Sequence, residues 1–256
     1  MITFVILLFI IILLYLFHVK KENFSNYKKP LIGIVIACYE RQDYLKKTLE
    51  SIKKSDLSNT IICIIDDCSK NRNVWKLIND FKTNSSVKII KVKNKKNIGI
   101  RYNLLKGWDI LCKYKCDYLC NIDSDTVVKY EWLDKLRKTE NHSRNRLDVE
   151  GVVVSGFNCV ESCNHKILKD YGDYYQKRTI GGINMFFSRK TYNNLIRQVL
   201  EKGRPNMGWD WEVCSHSRNK NYPIIVTKPS VIQHIGIKGL NSSNHKITRY
   251  DIAEDF

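Results

Sequence analysis

The sequence predicts a single α/β domain, built on a β-sheet that is parallel in its first half and mixed thereafter, with helices on its faces. Three observations carry this expectation. Apolar β-rich runs alternate with helix-period segments four times between residues 31 and 123, the pattern of right-handed β-α-β crossovers. The remainder is less regular and mixes short apolar runs with two helical stretches, as for strands that extend an existing sheet. A content of 43% hydrophobic residues over 256 positions fills one sizeable core without calling for a second domain.

The first strand is read at 31–38. Leu45, Leu49 and Ile52 then recur at helical spacing, and 61–65 is the second short apolar run. A third unit repeats the scheme, with a helix at 73–81 and a strand at 87–92. Ile100, Leu104, Trp108 and Leu111 form one face of the next helix, which leads into a strand at 118–122. Strands are expected further on at 151–156, 183–187, 224–227 and 231–233, with helices at 190–200 and 209–218.

Ahead of the domain, Ile2 to Phe17 is apolar throughout except for Thr3, and His18, Val19 and a lysine pair follow. At about 1.5 Å per residue such a helix just spans a thin bilayer, so residues 1–19 are read as a single membrane anchor and 20–30, ending in Pro30, as a short stem. A cleaved signal peptide fits less well: no positive residue precedes the run and no small-x-small site follows it. Lysines on the C-terminal side alone place the domain, 31–256, on the cytosolic side, with the lumen of the Golgi or endoplasmic reticulum as the alternative. In that alternative Cys159 and Cys163 can close a small loop, and the sequons at Asn23, Asn84, Asn141 and Asn241 become glycosylation candidates. Otherwise the nine cysteines are reduced thiols, with Cys63 and Cys120 acting as small buried hydrophobes.

A formal charge of +17 belongs mainly to the domain, since residues 1–29 set Lys20, Lys21, Lys28 and Lys29 against Glu22. Nucleic acid, an anionic membrane surface and a phosphate-bearing substrate all answer such a charge. Asp123-Ser124-Asp125 favours the last. Carboxylates at i and i+2 at the end of a strand share one face of the sheet at its carboxyl edge, an address for metal and phosphate. Carboxylates clustered there repel nucleic acid unless a cation intervenes, so no nucleic-acid partner is expected.

The string Ile34-Val35-Ile36-Ala37-Cys38-Tyr39-Glu40-Arg41 with Tyr44-Leu45, then Ile64-Ile65-Asp66-Asp67-Cys68-Ser69, then Asn97-Ile98-Gly99, then Asp123-Ser124-Asp125, resembles the donor half of family 2 type glycosyltransferases with the GT-A fold. The resemblance runs from about residue 31 to 236. It implies a nucleotide-sugar donor, a UDP-sugar foremost, bound by Ala37, Tyr39, Glu40, Asp66, Asp67, Asn97, Gly99, Arg101, Asp123 and Ser124. Asp67 is slightly favoured over Asp66 as the acceptor for the nucleoside, and Arg101 for reaching the base or diphosphate. Asp125 is the candidate ligand for Mn²⁺ or Mg²⁺, with Asp123 on the ribose or on a metal-bound water and His234 completing the shell.

In the second half, Gly181 and Gly182 resemble the glycine loop lining the sugar and acceptor pocket. Gly208-Trp209-Asp210-Trp211-Glu212 resembles the acidic motif that supplies the catalytic base in inverting members, with Trp-Asp where Glu-Asp is common. Residues two apart on a helix point about 200° away from each other, so Asp210 and Glu212 cannot both face one site. Asp210 is favoured as base, with Glu212 as substitute or acceptor contact and Trp209 and Trp211 as apolar wall and stacking face. Lys238 and Lys246 are candidate phosphate clamps. The implied reaction is transfer of a sugar, with inversion, to a hydroxyl of a glycan, glycolipid or protein acceptor. Nucleotidyltransfer also uses paired aspartates on a parallel sheet, but Ala37-Cys38-Tyr39-Glu40 offers no glycine-rich loop for a triphosphate. A catalytically inactive nucleotide-sugar or anion-binding membrane protein is the other alternative.

Overall fold

A computed structural model of the chain describes residues 29–83, 87–159, 165–204, 207–236, 252, 253, 255 and 256. The chain divides into two units, Met1–Pro30 and Leu31–Phe256, and nearly all described residues belong to the second. The anchor expected at 1–19, most of the stem, Cys163, the sequons at Asn23, Asn84 and Asn241, and Lys238 and Lys246 lie outside the described residues. Among the described residues no helix is long and apolar enough to cross a membrane.

The first half is the alternating pattern made solid: β1 Ile32–Cys38, α1 Gln42–Lys53, β2 Thr60–Asp66, α2 Arg72–Asp80, β3 Lys88–Lys93, α3 Ile100–Lys113 and β4 Tyr118–Asp123. Both β1 and β2 are buried along their whole length, as strands covered on both faces must be. Alternate residues of β1 serve opposite faces. Ile34 and Ile36 join Leu45, Leu49 and Ile52 of α1 in one core cluster. Val35 and Ala37 join Leu104, Trp108 and Leu111 of α3 in the other.

The rest comprises β5 Thr126–Val128, α4 Trp132–Arg146, β6 Val153–Ser155, β7 Ile167–Asp170, β8 Tyr174–Lys177 and β9 Phe186–Ser188. It continues with α5, which runs from Arg189–Thr191 through a π-helical turn at Tyr192–Ile196 to Arg197–Lys202, and then α6 Trp209–Asn219, β10 Ile224–Thr227 and β11 Ile232–His234. The main sheet has the order β3-β2-β1-β4-β9-β6-β10-β8-β7, with β11 and β5 forming a small separate pair. β1, β2, β3 and β4 are mutually parallel, and β9 adds antiparallel to β4.

Four elements escape the sequence pattern. The buried face of α4 reads Trp132, Leu133, Leu136, Thr139, Glu140 and Ser143, so its apolar period stops after Leu136 and the last two turns bury polar groups. β7 is exposed over most of its length, β8 is half tyrosine, and β5 is only three residues long. The strand expected at 183–187 begins later, at Phe186, because residues ahead of it bond to β4 outside regular ladder geometry: Asn121 N–H donates to Met185 O and Asp123 N–H to Ile183 O.

The end of the chain returns to β11. Ala253 exchanges two hydrogen bonds with the Gln233 side chain and bridges to Cys159, and the Ser230 hydroxyl donates to Asp255 at 2.5 Å. The described cysteines are free thiols, with Cys63 and Cys120 fully buried in their strands.

Candidate active site

β1 lies between β2 and β4, so the strand order reverses at its carboxyl end and a crevice opens there. Register places Ala37 beside Asp123 and Cys38 beside Asp66, which gathers the acidic strand ends on one edge. The chain then turns from β4 through Ser124 and Asp125 into β5, and β11 pairs antiparallel with β5, setting His234 opposite Thr126. Ile235 N–H closes on Asp125 O at 2.8 Å. Residues more than a hundred positions apart thereby meet.

Asp125 is the focus of that meeting. Its Oδ2 accepts from Arg41 Nη2 at 2.6 Å and faces His234 Nε2 at 3.1 Å. Gly236 covers the group so closely that a Cβ there would sit 2.0 Å from Asp125 Oδ2, 2.5 Å from Arg41 Nη2 and 2.7 Å from His234 Nε2. Burial pushes the Asp125 carboxyl up, but the hydrogen bond and charge of His234 and the Arg41 guanidinium outweigh it and hold the group below the usual carboxylate range. Asp123 shows the opposite balance. Burial, then the charges of Asp125 and Asp210, raise it well above the usual range against a smaller pull from Arg41. Three carboxylates thus share one crevice with one guanidinium.

Asp210 enters from the first turn of α6, whose N-cap is Gly208. Its Oδ2 accepts the Gly182 N–H at 3.0 Å, and burial raises its pKa despite the backbone N–H groups around it. Gly182 in turn receives Asn121 Nδ2 on its carbonyl, which ties the glycine segment to β4. A Cβ on Gly182 would lie 2.8 Å from the Trp209 ring, so the glycine is needed for close packing, whereas Gly181 faces open space. Trp211 is exposed and stacks on His165, with ring centroids 5.6 Å apart and planes at 24°. No sequence signal singles out His165; only its placement beside Trp211 and Asp210 does.

Several expected contacts are structural instead. Glu212, 3% exposed, points away from Asp210 as helix geometry requires; it pairs with Arg101 at 2.6 Å and accepts the Arg204 N–H at 2.8 Å. Burial raises the Glu212 carboxyl, yet Arg204 and Arg101 prevail and hold it low. The Arg101 guanidinium also donates to the carbonyls of Val199, Arg204 and Met207, so it is spent on bracing the end of α5 rather than offered to a diphosphate. Trp209 is core: it is 7% exposed and edge-on to Trp108 at 6.2 Å, so Trp211 alone of the pair presents a face.

Glu40 accepts the Lys70 and Asn71 N–H groups ahead of α2 and gives its own N–H to Ser69, which makes it a brace between two loops. Asp67 is likewise committed. Its Oδ1 accepts Asn94 Nδ2 and the Ile98 N–H, and its Oδ2 the Gly99 N–H, which Asn97 Oδ1 shares. Gly99 adopts φ of 82° with open space where a Cβ would be, so the need is for left-handed backbone rather than for room. Asp66 differs: Oδ1 accepts the Ser69 N–H. Of the two, Asp66 keeps a carboxylate oxygen, the buried Oδ2, with no hydrogen-bond partner among the described residues. Ala37 is buried, and Tyr39 and Ser124 are half-buried at the crevice.

Among the described residues no three His, Cys, Asp or Glu side chains converge as a metal-ligand set, so Asp123 does not join Asp125 and His234. The pair that remains offers one carboxylate and one imidazole, a donor set suited to Mn²⁺ and to ions that draw further ligands from substrate phosphates. The surface above it is kept bare by Gly236. Asp125 and His234 therefore supply two donors that fit a divalent ion, with Arg41 on the same carboxylate oxygen.

A mixed sheet of this order, with its acidic strand ends at the switch point, defines a GT-A fold, and solved structures agree. The chain resembles a mannosyltransferase from Pyrobaculum calidifontis in complex with GDP-Man and Mn²⁺, with a TM-score of 0.53 and 14% identity, covering 79% of this chain and 58% of that one. It also resembles GalNAc-T7 with UDP, GalNAc and Mn²⁺, with a TM-score of 0.58 and 15% identity, covering 88% and 47%. The family model for glycosyl transferase family 2 matches residues 33–203, and the chain belongs to that family. Uncharacterized glycosyltransferases of Haemophilus influenzae and Methanocaldococcus jannaschii are each 27% identical to it, over 42% and 46% of this chain. These matches span 32% and 39% of the relatives' own lengths.

Proposed function

We propose that the protein transfers a sugar from a nucleoside diphosphate sugar, a UDP-sugar foremost, to an acceptor hydroxyl with inversion at the anomeric carbon. The observation that carries this reading is that Asp123, Asp125 and Asp210 share one crevice at the carboxyl ends of β1 and β4, with His234 against Asp125, in a family 2 chain. Asp66 Oδ2 supplies an acceptor for the nucleoside. Asp125 and His234 are the residues that would hold a divalent ion, Mn²⁺ or Mg²⁺, and such an ion would supply neutralisation of the charge on the departing diphosphate. Asp210, raised by burial and oriented by the Gly182 N–H, takes the proton of the attacking hydroxyl. Trp211, backed by His165, gives an acceptor sugar a flat face. Glycan, glycolipid and glycoprotein acceptors all present such a sugar.

The test is a product assay with labelled UDP-, GDP- and CMP-sugars. Asp125→Ala is expected to abolish both transfer and donor hydrolysis, and Asp210→Asn to spare donor binding and stop transfer. Full activity in both variants would remove the assignment.

A further inference from the structure

We propose that Arg41 is a built-in counter-cation for Asp125, displaced by the divalent ion and then turned to the donor diphosphate. The inference rests on the metal and nucleotide-sugar reading of Asp125. Arg41 Nη2 lies 2.6 Å from the same Asp125 oxygen that His234 Nε2 faces at 3.1 Å. An ion ligated by that oxygen and that imidazole needs the place the guanidinium fills, because two cations crowded on one carboxylate oxygen repel.

Arg41 and Arg101 each meet a buried carboxylate at 2.6 Å, and they differ in how their donors are spent. Arg101 pairs with Glu212 and donates to three main-chain carbonyls, and its side chain is 12% exposed. Arg41 is 26% exposed, makes one short bond to Asp125, and leaves its buried Nε without a hydrogen-bond partner. A planar fork matched to carboxylate or phosphate is thus only partly used. The backbone beneath it is strained: Glu40 and Arg41 take consecutive left-handed φ values of 55° and 56°, which non-glycine residues adopt at a cost. Glu40 is clamped to Ser69, Lys70 and Asn71, so the turn is imposed from the α2 side and aims Arg41 into the crevice. The Tyr44 ring, 4.8 Å from the guanidinium carbon, gives the side chain a surface along which to move.

The experiment is calorimetric titration of the full chain, first with Mn²⁺ alone and then with UDP at saturating Mn²⁺. Arg41→Gln is expected to bind Mn²⁺ alone about tenfold more tightly and UDP about tenfold more weakly, the scale of one charge-assisted hydrogen bond. Arg41→Lys, which keeps the charge and loses the fork, is expected to leave Mn²⁺ affinity unchanged and to weaken UDP. Unchanged or weaker Mn²⁺ binding in Arg41→Gln, or unchanged UDP binding, overturns the inference while the metal reading stands. If the unmutated chain binds neither probe, the metal reading falls and the inference with it. Should Arg41→Gln not fold, the Arg41 Nε–H resonance of the unmutated chain replaces it: a shift on Mg²⁺ addition before UDP is expected, and a resonance that Mg²⁺ leaves in place overturns the proposal.

Discussion

Replacing Glu212 with alanine separates a structural carboxylate from a catalytic one. The side chain is 3% exposed and meets Arg101 Nη2 at 2.6 Å, the Arg204 N–H at 2.8 Å and Arg204 Nε at 3.4 Å. Truncation leaves the Arg101 charge, 12% exposed, without its counter-ion. Breaking a buried ion pair from one side costs about 3–5 kcal/mol, and the lower end applies because Arg101 keeps three carbonyl acceptors. At roughly 2–4 °C per kcal/mol for a domain of this size, a loss of about 3 kcal/mol lowers the melting temperature by about 6–12 °C. The pH dependence has a definite sign. Because folding depresses the Glu212 pKa, its contribution is present above the unfolded value of about 4.3 and is lost as pH falls through the lower folded value, so wild type and variant converge in acid. Circular dichroism melts from pH 7 down to pH 3, read beside donor hydrolysis at pH 7 and low temperature, check both. A melting temperature within one or two degrees of wild type, with hydrolysis lost, would refute the structural role.

Other consequences are equally direct. Ionised Asp210 is expected to set the acid limb of the kcat/KM profile above the ordinary carboxylate value of about 3.9, and a limb at or below that value contradicts its role as a buried base. Since the folded pKa of Asp210 is raised, its stabilising effect is lost as pH rises through it; Asp210→Asn should therefore melt no lower than wild type at pH 7. Asp67→Ala strips the acceptor of three N–H donors and is expected to cost about 2–4 kcal/mol in urea denaturation, whereas Asp66→Ala should weaken UDP binding more than it lowers stability. Gly236→Ala forces a methyl against Asp125, Arg41 and His234 and should weaken Mn²⁺ binding at least tenfold by calorimetry, with little change in the melt.

What the sequence discloses here follows the strength of its local signals. Buried parallel strands read as apolar runs, so β1, β2 and β4 and the acidic residues at their ends are legible; of the helix face expected at Ile100, Leu104, Trp108 and Leu111, the last three are buried and Ile100, in the first turn, is exposed. Helix α4 is not legible, because its last buried positions are Thr139, Glu140 and Ser143. Residue roles fail where a motif marks a place without saying which way a side chain turns. Asp66 and Asp67 are adjacent, yet one serves the 94–99 loop and the other keeps an unpartnered oxygen. Trp209 and Trp211 flank one aspartate, and only the second faces outward. Arg101 and Glu212 are claimed by each other across more than a hundred residues, a pairing with no local trace. The Arg41–Asp125–His234 meeting is equally non-local, since it depends on β11 returning to β5.

Under the proposed function, Asp125 anchors a divalent ion beside a nucleoside diphosphate. Thermal unfolding of the full chain and of Asp125→Ala, with UDP, GDP and CMP in the presence and absence of Mn²⁺, addresses it most directly. One nucleotide, UDP foremost, at a hundredfold its Kd should raise the melting temperature of wild type by roughly 5–10 °C with Mn²⁺ present, and should leave Asp125→Ala unmoved. An equal rise without a divalent ion, an equal rise in Asp125→Ala, or no rise with any of the three nucleotides would contradict it.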